Sequence, residues 1–398
     1  MADSARVTLK AGREKSLLRR HPWVFSGAVA KVDGNPASGE TVRVVSANSA
    51  FLAWAAFSPE SQIRLRAWSF DESDDVGAHF IRGRLRRAIA LRESLGLLDD
   101  EGACRLVFSE SDRLPGLIVD RYGRHLVCQF LSAGSDRWRS DIVAALGELL
   151  GPDSIHERSD PAARKKEGLA TRQGRLAGVA PPATVTFDTG AGQALVDIAG
   201  GQKTGAYLDQ RVNRARVAAH AKGGEALDAY SYSGAFSIAC LLGGARQATL
   251  IDSSADALEL ARQATTLNGM DDRCEFLQGS VPEVLRQFRD AGREFDLIVL
   301  DPPKFVHSER QLKDGCRGYK DINMMAVKLL RPGGILATFS CSGHVSADLF
   351  QKVVAGAVLD AGRDMQILER LTQSPDHPVA VEFPESEYLK GLILRADS

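Results

Sequence analysis

The chain runs to 398 residues, 44% of them hydrophobic, 25% charged and 7% aromatic, with a formal net charge of -1; this is a globular composition and it excludes a fibrous, collagen-like or disordered chain. No stretch approaches the roughly 18–20 apolar residues that span a bilayer, and the opening MADSARVTLKAGREK lacks the apolar centre of a secretory signal, so a cytoplasmic protein without membrane contact is expected. The cysteines (Cys104, Cys128, Cys240, Cys274, Cys316 and Cys341) lack C-x-x-C spacing and nearby histidine partners, so reduced thiols are expected and neither a disulfide framework nor a bound metal.

This length predicts two or three domains. Over residues 1–72, WVFSGAVAKVDGNPASGETVRVVSANSAFLAWAAF alternates apolar and polar positions and breaks at DGNPASG, which predicts a small β-barrel-like domain. The acidic FDESDD (70–75) reads as a linker. A central α+β region over 73–188 opens with Phe80, Ile81, Leu85 and Ile89 at helical spacing. Two or three strands follow in CRLVFSESDRLPGLIVDRYGRHLVCQFL, and then the helix RWRSDIVAALGELLG. From 189 to 398 strands and helices alternate, the pattern of a parallel sheet covered on both faces. Strands are expected at 225–230, 248–252, 274–278, 295–301, 335–340, 365–371 and 389–396, and RGYKDINMMAVKLL is expected to turn helical after Tyr319.

Ligands of open α/β sheets sit beyond the carboxyl ends of the strands. The first strand of this region ends in LDAYSYSGAF, with Asp228 at its tip and a polar turn running to Gly234, where a close backbone approach is expected. There is no G-x-G-x-x-G, so a dinucleotide pyrophosphate is poorly served; one carboxylate suits a ligand with an ammonium group better. The second strand ends in Asp252, which could accept both hydroxyls of a ribose or could simply cap the helix DSSADALELA. The fourth ends in LDPPKF, where Pro302 and Pro303 fix a rigid turn after Asp301.

Acidic tips on strands one and two with a D-P-P-x-F tip on strand four resemble the class I methyltransferases that use S-adenosylmethionine. GGQKTGAYLDQRVNR (200–214), SDRLPGLIVDRYG (111–123) and HERSDPAARKKEGL (156–169) are similar to the bacterial ribosomal RNA large subunit methyltransferase I family, nearly end to end. The resemblance implies an N-terminal PUA domain (1–72), a central α+β domain (73–188) and a Rossmann-like α/β methyltransferase domain (189–398). It implies methylation of C5 of a cytosine in 23S ribosomal RNA, free or in an assembling large subunit. It further implies cofactor contacts from Tyr207, Asp209, Gln210 and Arg211, from Tyr230, Ser231, Tyr232, Ser233 and Gly234, and from Asp228, Asp252 and Asp301. Many such enzymes read adenine with an acid after strand three; here Ser280 stands there.

FSCSG (339–343) ends the fifth strand with Cys341. A cysteine there is commonly a small buried hydrophobe, and the residues alone leave that reading open beside a nucleophile's. Carbon 5 of cytosine needs electron density, which a thiolate supplies by adding to C6, and the resemblance implies that role for Cys341, with Asp301 at the same mouth. No second cysteine lies near DPPKF, so Cys341 would both attack and leave. Lys304 or the next helix N-terminus is expected to lower its pKa. Lys304 also interrupts the [DN]-P-P-[YFW] pattern of amine methylators, the alternative being guanine N-methylation; a non-catalytic RNA-binding assembly factor is the other alternative.

A base buried in a duplex must be flipped out or unpaired to react. Phe305, with Pro302, Pro303 and Lys304, is expected to meet it, and Tyr319 and Lys320 to touch base or phosphate. Arg19, Arg20 and Trp23, and Arg164 with Lys165, are expected to hold the RNA backbone. His307, His344 and His377 are expected at the surface or at caps.

Overall fold

The structure, a computed structural model, describes residues 5–200 and 205–397. It packs as two units: Met1–Val185 with Asp197–Ala206 and Pro375–Ser386, and Thr186–Val196 with Tyr207–Ser374 and Glu387–Ser398. Within GGQKTGAYLDQRVNR, positions 201–204 lie outside the described residues.

In the first unit the alternating segment forms one sheet, ordered Trp23–Phe25, Ile63–Ser69, Phe51–Phe57, Thr41–Val45, Arg6–Leu9, Val29–Asp33. Its inward positions, among them Val7, Leu9, Val24, Val42, Val44 and Leu65, close on a common core. A second sheet takes Ala103–Phe108, Leu117–Tyr122, His125–Phe130, Ser154–Arg158 and Gln173–Gly178 in chain order. The helix Ala78–Ser94 turns Ile81, Leu85 and Ala88 onto it, the i, i+4, i+7 stripe of an amphipathic helix. Ala56 and Trp68 of the first sheet join that same core.

A buried polar knot accompanies it. Glu167 accepts from Arg66 Nη1 at both oxygens (2.9 Å each), from Ser58 Oγ (2.9 Å) and from the Ala133 N–H (3.2 Å). Residues 375–386 complete the unit. Arg92 donates to the Asp376 carbonyl (2.7 Å), and the Arg105 N–H donates to Asp376 Oδ2 (2.9 Å). His377 departs from its expected exposure: it is buried against Phe108, with Nδ1 3.0 Å from Asp376 Oδ1.

The second unit holds a seven-stranded sheet: β1 (Glu225–Ala229), β2 (Gln247–Asp252), β3 (Cys274–Gln278), β4 (Phe295–Leu300), β5 (Leu330–Ser340), β6 (Met365–Leu371) and β7 (Lys390–Ala396). Between them run α1 (Ala235–Leu242), α2 (Ala255–Leu267), α3 (Val281–Asp290), α4 (Leu312–Lys328) and α5 (Ala347–Ala361). The order is β3-β2-β1-β4-β5-β7-β6, so chain order reverses between β1 and β4, where a ligand crevice forms. Leu297 to Leu300 are all buried, as befits a strand covered on both faces. Ile298 and Leu300 face one core and Leu297 and Val299 the other.

The sheet is not wholly parallel: β7 runs antiparallel to both β5 and β6. Gly391 allows this packing, since a Cβ there would lie 2.5 Å from the Phe339 ring. Two further boundaries differ from expectation. Helix α4 begins at Leu312 rather than after Tyr319, and β5 at Leu330 rather than 335.

Candidate active site

At the tip of β1 the Asp228 carboxylate is turned inward. Its Oδ2 accepts from the Ser237 N–H (3.0 Å) and Oγ–H (2.7 Å), satisfying the first turn of α1. Burial pushes its pKa up to about 6, against the two Ser237 bonds, and the nearby Asp252 adds to the rise.

The following turn is held in an unusual backbone. Tyr230 and Tyr232 have φ of 67° and 47°, a region that bulky residues enter only under constraint. The constraint is visible: the Tyr230 and Ser231 N–H groups both donate to the Ile251 carbonyl (2.9 and 3.0 Å), and the Tyr232 N–H donates to Asp252 Oδ2 (2.9 Å). Gly234 is required by the turn itself. Its φ is +74°, and a Cβ there would meet Leu250 and Ala261 of the protein at 3.0 and 3.1 Å.

Asp252 is not the cap of α2, a position taken by Ser254. Its Oδ1 accepts the Ser254 N–H at 2.9 Å, so the carboxylate braces two turns and keeps lone pairs for hydroxyl donors. Ser280 is exposed at the N-terminus of α3, close behind Gly279, whose N–H donates to the Asp252 carbonyl (3.0 Å).

The segment after residue 206 contributes the other wall. The rings of Tyr207 and Tyr232 meet edge to face at 5.5 Å. Burial raises the Tyr207 pKa, and Asp301, Tyr232, Cys341 and Asp209 lie near enough to add to the rise. Asp209 Oδ2 accepts from Tyr388 Oη–H (2.6 Å). Among the described residues, Asp209 Oδ1, Gln210 Nε2, Arg211 Nε and Ser231 Oγ are buried polar atoms without a hydrogen-bond partner. Buried polar atoms are nearly always satisfied, so four on the two segments flanking one crevice suit a ligand rich in polar groups.

Beyond β4, Asp301 precedes the buried Pro302 and the exposed Pro303 and Lys304. Beyond β5, strand alternation separates FSCSG: Ser340 and Ser342 are fully buried, Cys341 only partly. Ser342 Oγ lies 2.9 Å from Tyr319 Oη and accepts the Val306 N–H at 3.2 Å. Ser342 thus fastens the Cys341 turn to α4 and to the Asp-Pro-Pro loop.

Several expected contacts are corrected. Tyr319 is 0% exposed and holds the loop from below, so it cannot touch a base. Phe305 packs on Tyr319 at 4.7 Å and on Tyr230 at 6.4 Å between ring centroids, which commits much of its surface to the protein. Lys320 pairs with Asp360 at 2.7 Å. In the other unit, Arg164 is 1% exposed and donates to Phe130 O, Ala170 O and Asp136, so it is a structural cation. Trp23 gives its Nε1–H to Glu110 (2.8 Å) and its ring to Phe383 (4.7 Å). Arg19, Arg20 and Lys165 are exposed, as is Phe25, at 54%. Lys390, which the sequence reading passed over, is buried beside Cys341; the signal was a lysine opening the otherwise apolar strand KGLIL. No described helix is long and apolar enough to cross a membrane.

Comparison with known proteins accords with this arrangement. A family model for a PUA-like domain matches residues 7–70, and one for an S-adenosylmethionine-dependent methyltransferase matches residues 184–395. The ribosomal RNA large subunit methyltransferase I of Tolumonas auensis is 51% identical over 395 residues, covering 99% of this chain and 100% of its own. That of Klebsiella pneumoniae strain 342 is 48% identical over 398 residues, with 99% and 100% covered. Among solved structures, a putative SAM-dependent methyltransferase from Streptococcus mutans superposes with a TM-score of 0.83 at 20% identity, covering 98% of this chain and 99% of its own. A putative methyltransferase complexed with SAH gives 0.85 at 20% identity, with the same coverage; at such identity these two speak for the fold alone. The chain therefore belongs to the ribosomal RNA large subunit methyltransferase I family of S-adenosylmethionine-dependent methyltransferases, and it carries a PUA-like domain in its N-terminal part.

Proposed function

We propose that this protein methylates C5 of a cytosine in 23S ribosomal RNA through a covalent bond between Cys341 Sγ and C6. The observation that carries the reading is the placement of one partly exposed thiol between two fully buried serines, at the sheet edge shared with Asp301 and Tyr207.

S-adenosylmethionine supplies a methyl group on a cationic sulfur, with a ribose and an ammonium to be held. The unpartnered Ser231 Oγ and Asp209 Oδ1 and the remaining lone pairs of Asp252 fit those groups. Asp228, Asp252, Tyr207, Asp209, Gln210, Arg211 and the Tyr230–Gly234 turn would hold it. Cys341 adds as a thiolate to C6; the C5–C6 π electrons move into the ring and a proton settles at N3, where Asp301 is the group at hand. C5 then takes the methyl group and loses its proton to a base or water, the restored double bond expels the thiolate, and N3 returns its proton to Asp301.

Because a ligand ammonium favours ionised Asp228, cofactor affinity is expected to fall as pH drops through about 6 and to be level above it. Calorimetry from pH 5 to 8 checks this, and Asp228→Asn should remove the dependence. In the first unit the exposed Arg13, Lys15, Arg19 and Arg20 accompany the exposed Phe25, an RNA-facing combination. Affinity for a 23S fragment should fall steeply with salt, and Arg19→Ala with Arg20→Ala should lower the log–log slope by about one to two. A slope unchanged in that variant would remove these arginines from the interface.

The direct test is incubation with S-adenosylmethionine and RNA carrying 5-fluorocytidine. Fluorine cannot leave C5 as a proton does, so a denaturation-resistant protein–RNA adduct through Cys341 is expected. Methyl transfer to an exocyclic amine without adduct would support the guanine alternative instead.

A further inference from the structure

Lys390 has no part in the reading above, yet it lies where the chemistry is proposed. In a wholly parallel sheet only the carboxyl ends of strands would reach this edge. Because β7 runs against β5, its first residue pairs with the last of β5, Lys390 opposite Ser340. Its side chain is buried, and Nζ donates to the Ser342 and Tyr388 carbonyls at 2.8 Å each. An ammonium has three donors, and the third is committed to neither carbonyl. Tyr388 in turn donates its hydroxyl to Asp209, so one polar chain runs from the cofactor wall to the Cys341 turn.

Two carbonyls could be tied together by a neutral side chain. Burying a full positive charge for that purpose is costly unless a negative charge answers it. The groups facing Lys390 are Cys341, Glu387 and Lys304. Lys304 repels it, and Glu387 is exposed, so the thiolate form of Cys341 is the partner that burial makes strong. Burial lowers the Lys390 pKa to about 8, while Cys341 and Glu387 act to raise it; the ammonium is still the major form at neutral pH. Tyr207 and Tyr319 also feel Cys341, and both are neutral there.

Resting on the reading of Cys341 as nucleophile, we propose that Lys390 is the positioning residue that acts through it: a fixed counter-ion that favours the thiolate for attack and accepts it again on release. It supplants Lys304 and the N-terminus of α5 in that role, since Lys304 is exposed and α5 begins only at Ala347.

The test follows alkylation of each cysteine by iodoacetamide against pH, read by peptide mass spectrometry on the full-length protein. In the wild type, Cys341 should be modified with an inflection below the ordinary thiol value of about 8.5, and faster at pH 7 than Cys316 or Cys274, whose thiols burial raises. Lys390→Met should move the Cys341 inflection up by about one unit or more, and Lys390→Arg should keep it low; SAH affinity reports that each variant is folded. A wild-type inflection at or above the ordinary value, or one unmoved in Lys390→Met, overturns the proposal. If Lys390→Met fails to fold, the wild-type profile and the arginine variant decide. Failure of the covalent reading shows elsewhere, as full methyl transfer by a Cys341→Ala protein.

Discussion

Cys341→Ala is expected to lose methyl transfer to ribosomal RNA by roughly ten-thousand-fold or more, while binding SAH within a few-fold of the wild type. The two readouts separate because the groups proposed to hold the cofactor lie on the turns after β1 and β2 and on the segment from Tyr207, whereas the thiol closes β5. An alanine also fits: Cys341 is only partly buried, and Ser340, Ser342 and Tyr319 retain their bonds without it. Cys341→Ser should be nearly as inactive, because a serine hydroxyl is far less acidic than a thiol and stays protonated where a thiolate would form. Radiolabel transfer in single turnover measures the loss, and the 5-fluorocytidine adduct should vanish with it. Undiminished turnover by either variant would end the proposal of a sulfur adduct.

Glu167→Ala is expected to destabilise the first unit by about 3–5 kcal/mol, the largest stability change foreseen for any single site. Its carboxylate answers Arg66, Ser58 and the Ala133 N–H at once. Arg66 would be left buried, with Glu110 3.5 Å away as its nearest acid. The measurement is convenient, because Trp23, Trp54, Trp68 and Trp138 are the chain's tryptophans and all belong to this unit. Fluorescence during urea unfolding therefore follows it without signal from the methyltransferase domain. The double variant Arg66→Met with Glu167→Leu should recover most of the loss, since it removes the stranded charge together with its partner. A loss below about 1 kcal/mol in the single variant would mean that the pair is better hydrated than its burial implies.

How much of this was legible beforehand depends on whether a feature is local. Strands Cys274–Gln278 and Met365–Leu371 coincide with expectation, because apolar runs and alternation are written in sequence order. The tips bearing Asp228, Asp252, Asp301 and Cys341 follow from β1, β2, β4 and β5, legible in the same way. The start of α4 is masked by Gly315 and Gly318, since glycine weakens a helix interior. A Cβ at Gly315 would lie 2.3 Å from Val306, and one at Gly318 3.2 Å from Phe305, so these glycines answer a packing constraint that only the folded chain reveals. Tyr319 and Arg164 were misplaced for a related reason: an aromatic or a cation looks ligand-facing until its distant partners are known. The polarity of β7, and with it Lys390, needed the pairing of strands far apart in the chain.

The left-handed backbone at Tyr230 and Tyr232 has a thermodynamic corollary. Such conformations cost on the order of 1–3 kcal/mol each, and here the Ile251 carbonyl and the Asp252 carboxylate impose them within the protein's own bonding. The crevice wall is therefore set during folding, and an arriving nucleoside has little loop entropy left to quench. Calorimetric titrations should show a modest entropic penalty that grows in Asp252→Ala, as the tyrosines relax toward ordinary dihedrals and must be gathered again at each encounter.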